Sequence, residues 1–294
     1  MAGMHWPPRH VMSNSIGEAL ARFSSARHAD QLRDEGVQRA VLDSAREEVA
    51  GLGDLLDTAA AAVRSAHAVI IENFPVDDIA LAVAASALGR ADAGYNGPRP
   101  DTLVHDVVDS AVRPYRDPDP LHTDSPMLRR PHAYLALLCV RPSPNGDGET
   151  VLVRAADVAD ELAGQDRLRP LCDPCYPFAV PHDPGAQRPV VITNPILTSA
   201  EGSTTVRYCP VRVTAGVQLA GHRLDAQHLD ALRAFEHTLQ RPELTTSFLL
   251  RAGDLLLFDN QRLLHGRTDV RPAGASRHLK RIKLRASRSP GAEA

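Results

Sequence analysis

Lysine is almost absent from this chain: of 33 basic side chains, only Lys280 and Lys283 are not arginine. That is compositional bias first. Cysteine is scarce too, and four thiols (Cys139, Cys172, Cys175, Cys209) are too few for a disulfide framework. Cys172-Asp-Pro-Cys175 is spaced like half a zinc site, but no second pair accompanies it, so it reads as two free thiols in a loop. No uninterrupted apolar run reaches membrane-span length. The opening Met1-Ala-Gly-Met-His-Trp-Pro-Pro lacks a charged n-region followed by an apolar one, so the expected location is cytoplasmic. Charge excess is missing as well: a net −3 and a pI of about 6.5 point to neither nucleic acid nor an acidic membrane as partner. What remains is an ordinary globular composition, 43% hydrophobic and 23% charged over 294 residues, long enough to bury a full core.

The first third reads as helical. A weak pattern surrounds Ile16–Phe23, and from Val37 to Ala66 apolar residues recur at helical spacing, with Gly51 and Gly53 breaking the run into two helices. Ala68–Phe74 is a short β-branched run ending at Pro75, hence a strand. Asp77 or Asp78 then caps a helix from Ile79 to about Arg90.

From about Leu103 the period changes to two. Strands are expected over Leu103–Val108, Ala133–Val140, Thr150–Val153, Val190–Leu197, Val206–Val213, Ser247–Arg251, Leu255–Asp259 and Arg262–Arg267. Pro144–Gly148 and Ala252-Gly-Asp254 are the clearest turns. One helix, Asp225–Gln240, interrupts the strands, and Asp157–Leu162 forms a shorter one. Residues 164–189 fit neither period and read as a lid-like loop insertion. The expected architecture is α+β: a double-stranded β-helix (jelly roll, cupin-like) with N-terminal and flanking helices. We expect one domain over 1–294, with a helical extension over 1–66, the core over 67–285 and a tail over 286–294.

The chemistry concentrates at Leu121-His122-Thr123-Asp124-Ser125 and at His265 in Leu-Leu-His-Gly-Arg. A histidine and a carboxylate one residue apart on extended chain point the same way. With one imidazole from another strand they offer two nitrogens and one oxygen on one face of a metal, leaving positions open, which suits non-haem Fe(II). Two other His-x-Asp pairs, His28-Ala-Asp30 and His228-Leu-Asp230, fall in stretches assigned to helix, where side chains two apart diverge by about 200°.

Leu-His-Thr-Asp at 121–124, Gly-Glu-Thr-Val at 148–151 and the long run Gly253–Arg267 together resemble the taurine dioxygenase and clavaminate synthase-like family of Fe(II)/2-oxoglutarate-dependent dioxygenases. The likeness runs from about Ala68 to Arg285 and leaves out the first 65 residues and 164–189. It implies Fe(II) held by His122, Asp124 and His265, with 2-oxoglutarate and O2 as co-substrates. It also implies a hydroxyl contact from Thr150 to 2-oxoglutarate and an ion pair from Arg277 to its distal carboxylate, for which a guanidinium fork is well shaped. Arg281, four residues on and so on the same strand face, is where several relatives meet the primary substrate or support the co-substrate. Lys280, Lys283, Arg285 and Arg288 read as a solvated basic edge strand. Ser125-Pro126 stands where many relatives have a small residue such as glycine, which implies a differently shaped loop over the iron. The carboxylate at Asp124 argues against halogenation, because halogenating relatives lack it.

The resemblance implies a small-molecule substrate, leaning to an amino-acid- or peptide-derived metabolite of natural-product biosynthesis. Asn194 and Arg207 lie on strands placed to line the pocket. Two rivals use the same triad: a metal-dependent hydrolase, which needs a general base beside the metal but neither Arg277 nor Thr150, and a non-catalytic barrel that binds a small carboxylate. Nothing in the sequence fixes the oligomeric state.

Overall fold

The structure, a computed structural model, describes residues 6–27, 32, 34–92, 103–108, 119–164, 167–180, 190–200, 202–220, 224–271 and 276–286. The chain opens with strand β1 (Arg9–Val11) and helices α1 (Asn14–Ser25), α2 (Glu35–Glu48) and α3 (Leu52–Ala66). The expected break between the last two falls at Gly51, whose φ of 81° is left-handed. Next come β2 (Ala68–Glu72), α4 (Asp78–Ser86), β3 (Gly89–Ala91) and β4 (His105–Val108). Asp77 caps α4 by accepting from the N–H groups of Ile79 and Ala80. Then follow β5 (Asp119–His122), β6 (Tyr134–Arg141), β7 (Thr150–Arg154), α5 (Ala155–Ala163), α6 (Leu168–Leu171), β8 (Tyr176–Ala179), β9 (Val191–Asn194), β10 (Leu197–Ala200) and β11 (Ser203–Val206). Helices α7 (Pro210–Ala220) and α8 (Ala226–Thr238) precede β12 (Thr245–Phe248), β13 (Leu255–Asp259), β14 (Leu263–Arg267) and β15 (His278–Ala286).

Two main sheets result. The larger runs β1-β2-β13-β6-β15-β3, with β4 also paired to β15; the smaller runs β12-β7-β14-β5. Alternation sorts their side chains. Ile70, Leu135, Leu137, Leu256, Phe258 and Leu279 point from the larger sheet into one apolar cluster, which Leu152 and Leu263 enter from the smaller sheet. The opposite faces of the same strands, with Ile71, Leu138, Leu257, Ile282 and Leu284, pack against α1–α4. A third cluster covers the back of the smaller sheet, where Val153 and Leu264 meet α5, α6, α8 and β8. Both faces of the central strands are therefore apolar, and removing one such fully buried leucine costs about 2–5 kcal/mol.

Four expectations need correction. The strand over Val206–Val213 stops at Val206, and Pro210 opens α7 instead. Proline has no N–H for a ladder but suits the first turn of a helix. Within α7, Val213 and Gly216 turn inward, and a Cβ on Gly216 would stand 2.3 Å from the Pro177 carbonyl oxygen. The insertion at 164–189 is not a loosely held loop over its first part. Leu171, Tyr176 and Phe178 are fully buried in the third cluster, while 181–189 lie outside the described residues. Val190–Leu197 is two strands, broken at Pro195. Finally, β15 is no edge strand: β6 flanks it on one side and β4 and β3 on the other.

Candidate metal and co-substrate site

β14 lies inside the smaller sheet and β5 is its edge, with His265 directly opposite His122. The close approach depends on Gly266, where a Cβ would stand 2.6 Å from the Asp119 carbonyl oxygen. The two rings lie 4.3 Å apart between centroids, and Phe258 meets His265 edge-on at 5.0 Å. His122 Nδ1 is 2.8 Å from the Pro120 carbonyl oxygen. A carbonyl only accepts, so Nδ1 carries the proton and Nε2 keeps its lone pair. That Nε2 stands 3.7 Å from Asp124 Oδ1. Donor atoms of His122, Asp124 and His265 all lie within 4.8 Å of one another, and no other such group of three occurs among the described residues.

Asp124 sits beyond the end of β5, so side chains hold it where a ladder cannot. Asn260 accepts from the Asp124 N–H at 2.8 Å and donates to the carbonyls of Asp124 at 3.0 Å and His132 at 2.8 Å. Thr123 is locked to Tyr208, donating its N–H to the Tyr208 carbonyl at 2.6 Å and accepting from the Tyr208 N–H at 3.0 Å. Ser125 follows with φ 58°, the left-handed region that glycine adopts freely. On the carboxylate, Oδ2 has Arg281 Nη1 at 3.0 Å and Lys283 Nζ at 3.4 Å.

Burial by itself would raise the Asp124 carboxyl, but Arg281 and Lys283 hold it well below the usual carboxylate range. Burial, reinforced by neighbouring His122, keeps His265 neutral and well below an ordinary imidazole. Burial also pulls on His122, but the carboxylates of Asp124 and Asp119 outweigh it and the net shift is upward. His265 Nδ1 and Asp124 Oδ2 are buried without a hydrogen bond, the latter's two cations standing within ion-pair reach but out of line. Unmet groups of this kind cost about 1–3 kcal/mol each. Two imidazoles and one carboxylate with capacity to spare are a donor set that fits Fe(II).

The outcome for Lys283 reverses the sequence reading. It is 6% exposed and turned toward Asp124 rather than solvated, because residues 279, 281 and 283 share the inner face of β15. Lys280 faces outward onto Asp78 and Asp106, while Arg285 pairs with Asp92; Arg288 lies outside the described residues. Thr150 (3% exposed) and Arg277 (6%) are buried, and Arg267 is paired with Thr150 across the ladder. Gly148, at φ 72°, lets the Arg277 chain pass: a Cβ there would be 3.2 Å from Arg277 Cδ. Arg277 thus stands just before β15, beside the end of β7 that carries Thr150. Arg207 and Asn194 meet each other at 3.2 Å, and Arg207 also donates to the carbonyls of Leu128 and Arg129. The rival pair His228/Asp230 stays apart on α8, with His228 on Asp225 and Asp173 and Asp230 on Arg167; His28 and Asp30 lie outside the described residues. All four cysteines are free thiols. Sequence reasoning missed Asn260, His132 and Lys283. Only Lys283 left a signal, its two-residue offset from Arg281.

Comparison with known proteins adds the family. No curated protein matches the sequence significantly. Among solved structures, an asparagine oxygenase in complex with Fe(II), 2S,3S-3-hydroxyasparagine and succinate superposes with a TM-score of 0.75 at 17% identity, covering 95% of this chain and 94% of that one. The non-heme iron oxygenase OrfP in complex with Fe and alpha-ketoglutaric acid gives 0.71 at 18% identity over 96% and 94%. These likenesses establish the mixed α+β fold with its antiparallel sheets. Residues 42–283 match the family described as "Taurine catabolism dioxygenase TauD, TfdA family". The chain belongs to that family and is an Fe(II)/2-oxoglutarate-dependent oxygenase.

Proposed function

We propose that this enzyme hydroxylates, or otherwise oxidises, an unactivated C–H of an amino-acid- or peptide-derived small molecule in natural-product biosynthesis. The observation that carries the reading is the convergence of His122, Asp124 and His265 to within 4.8 Å in a site whose two cations keep the carboxylate ionised. These three residues would hold the iron. Thr150 and Arg277, buried together beside Gly148, would hold 2-oxoglutarate, Arg277 by its distal carboxylate, and Arg281 would receive an anionic group of the substrate. When bound, iron with 2-oxoglutarate and O2 supplies the oxidising power, with succinate and CO2 released. The protein's part is orientation and dryness: Phe258 backs His265, Asn260 fixes the Asp124 backbone, and Tyr208 fixes Thr123.

The two facing sheets support a double-stranded β-helix, and the match over 42–283 supports reading the chain as one oxygenase unit. An amino-acid substrate is favoured by the hydroxyasparagine and L-Arg complexes of the two structural neighbours. Asn194 and Arg207 are proposed to border the substrate region, shaping it through the 128–129 carbonyls.

Anaerobic Fe(II) with 2-oxoglutarate should give a weak visible charge-transfer band, and His265→Ala should abolish it. A full-strength band in that variant would refute the ligand set. Succinate formation across a panel of amino acids and cyclic dipeptides then identifies the substrate. Equal, uncoupled turnover with every member would count against this substrate class.

A further inference from the structure

The turn that carries Asp124 is backed by groups that the proposed reaction does not use. His132 is fully buried, with Nδ1 2.9 Å from Ser125 Oγ and Nε2 3.1 Å from Asp92 Oδ2. A carboxylate only accepts, so Nε2 carries the ring proton and Nδ1 accepts from the Ser125 hydroxyl. Burial outweighs Asp92 and keeps the ring below an ordinary imidazole, in line with this neutral tautomer. Asp92 also takes Arg285 Nε, and its backbone N–H donates to the Lys283 carbonyl at 2.9 Å. At the other end, Lys283 Nζ stands 3.5 Å from Ser125 Oγ and 3.4 Å from Asp124 Oδ2. Every donor has a direction: Lys283 to Ser125, Ser125 to His132, His132 to Asp92, with Arg285 closing the chain.

Serine, histidine and aspartate in this order resemble a nucleophile with its base, but a ring with no exposure cannot pass a proton to a substrate. A purely structural histidine is also a poor account. Such a ring needs only any two polar partners, whereas this one grips the residue adjoining a proposed metal ligand, at a backbone conformation unfavourable for serine. In a chain with two lysines, one is spent where a compact ammonium reaches both that serine and the carboxylate itself.

We propose that Ser125, His132 and Asp92, joined to Asp124 through Lys283, form a positioning relay that fixes which oxygen of Asp124 faces the metal. The inference rests on the reading of Asp124 as an iron ligand. Ser125→Gly is the informative variant, since glycine accepts the left-handed turn while the hydroxyl is lost. We expect Tm to change little, the relieved left-handed turn offsetting the partner lost to His132, with Fe(II) affinity weakened by about tenfold, as when outer partners of metal ligands are removed. In metal-free protein, 15N-histidine NMR should show His132 as a single tautomer protonated at Nε2, with that preference lost in Ser125→Gly. Unaltered Fe(II) affinity in Ser125→Gly overturns the relay, as does a wild-type His132 protonated at Nδ1. Wild-type protein that binds no Fe(II) would instead overturn the ligand reading beneath it.

Discussion

His265 and Asp124 face the same point but are held by opposite means. His265 lies mid-strand, with β7 bonded on one side and β5 on the other, so its position follows from the ladder. Asp124 lies past a strand end, and its position follows from Asn260, Arg281, Lys283 and the group behind Ser125. A backbone ladder is indifferent to most nearby side chains, whereas a turn fixed by side chains depends on each. The strand half of the site should therefore fail only at special positions, and the turn half in many small steps.

The largest effect tests the proposed co-substrate pocket, which combines both modes: Thr150 on a ladder, Arg277 just before one. Arg277→Gln would leave a buried carboxylate of 2-oxoglutarate without its partner, a loss of roughly 2–5 kcal/mol. The apparent KM for 2-oxoglutarate should rise well over tenfold, read from uncoupled turnover without substrate. Arg281→Gln should instead weaken primary-substrate binding and, through the lost ion pair to Asp124, Fe(II) affinity, so the two variants are compared at saturating Fe(II). Equal damage to uncoupled turnover by both would place both arginines at the co-substrate.

Next come the special positions of each half. Gly266→Ala sets a methyl against the Asp119 carbonyl and should cost about 1–3 kcal/mol while pushing β5 from β14. Asn260→Ala strands the buried N–H and carbonyl of Asp124, also at about 1–3 kcal/mol. The comparison sharpens on the remedy: saturating Fe(II) should restore the visible band in Asn260→Ala but not in Gly266→Ala. Restoration in both would erase the distinction between ladder and turn.

The smallest effect is in pH. His132 lies below the ordinary imidazole value because burial outweighs Asp92, with Lys283 lowering it and Asp124 raising it slightly. The unfolded chain then takes up the proton more readily than the folded one. This contribution to stability is present above about pH 6.5 and is lost as pH falls below it. Denaturant midpoints of metal-free protein between pH 7 and 5 should fall less in His132→Gln than in wild type. Parallel slopes would mean that the ring does not titrate with unfolding.

The ladder half was legible in the sequence because alternation is a local signal. Leu255–Asp259 was placed to the residue, and the expected Arg262–Arg267 differs from β14 by one position. The turn half was not. Asn260 reaches Asp124 across more than a hundred residues, and no period announces such a contact. Lys283 was read as solvated because a charge among arginines looks like a surface; only its pairing across the fold says otherwise. The Val-Arg-Val-Thr run at 211–214 alternates like a strand, and Pro210 together with the tertiary seat of α7 on β8 decides for helix. Residues 168–179 hide for a different reason: elements of four residues are too short to show any period.

β5 has consequences beyond display. It is four residues long, paired on one side only among the described residues, and it and the turn after it carry two of the three proposed ligands, while the third sits on its neighbour. A metal bridging them would be a cross-link, pinning a marginal edge to the sheet and closing a long loop of chain, much as a disulfide would. Loss of metal and fraying of this strand then become one event observed in two ways. Amide exchange at 119–124 should quicken on chelation while β6 and β13 remain silent.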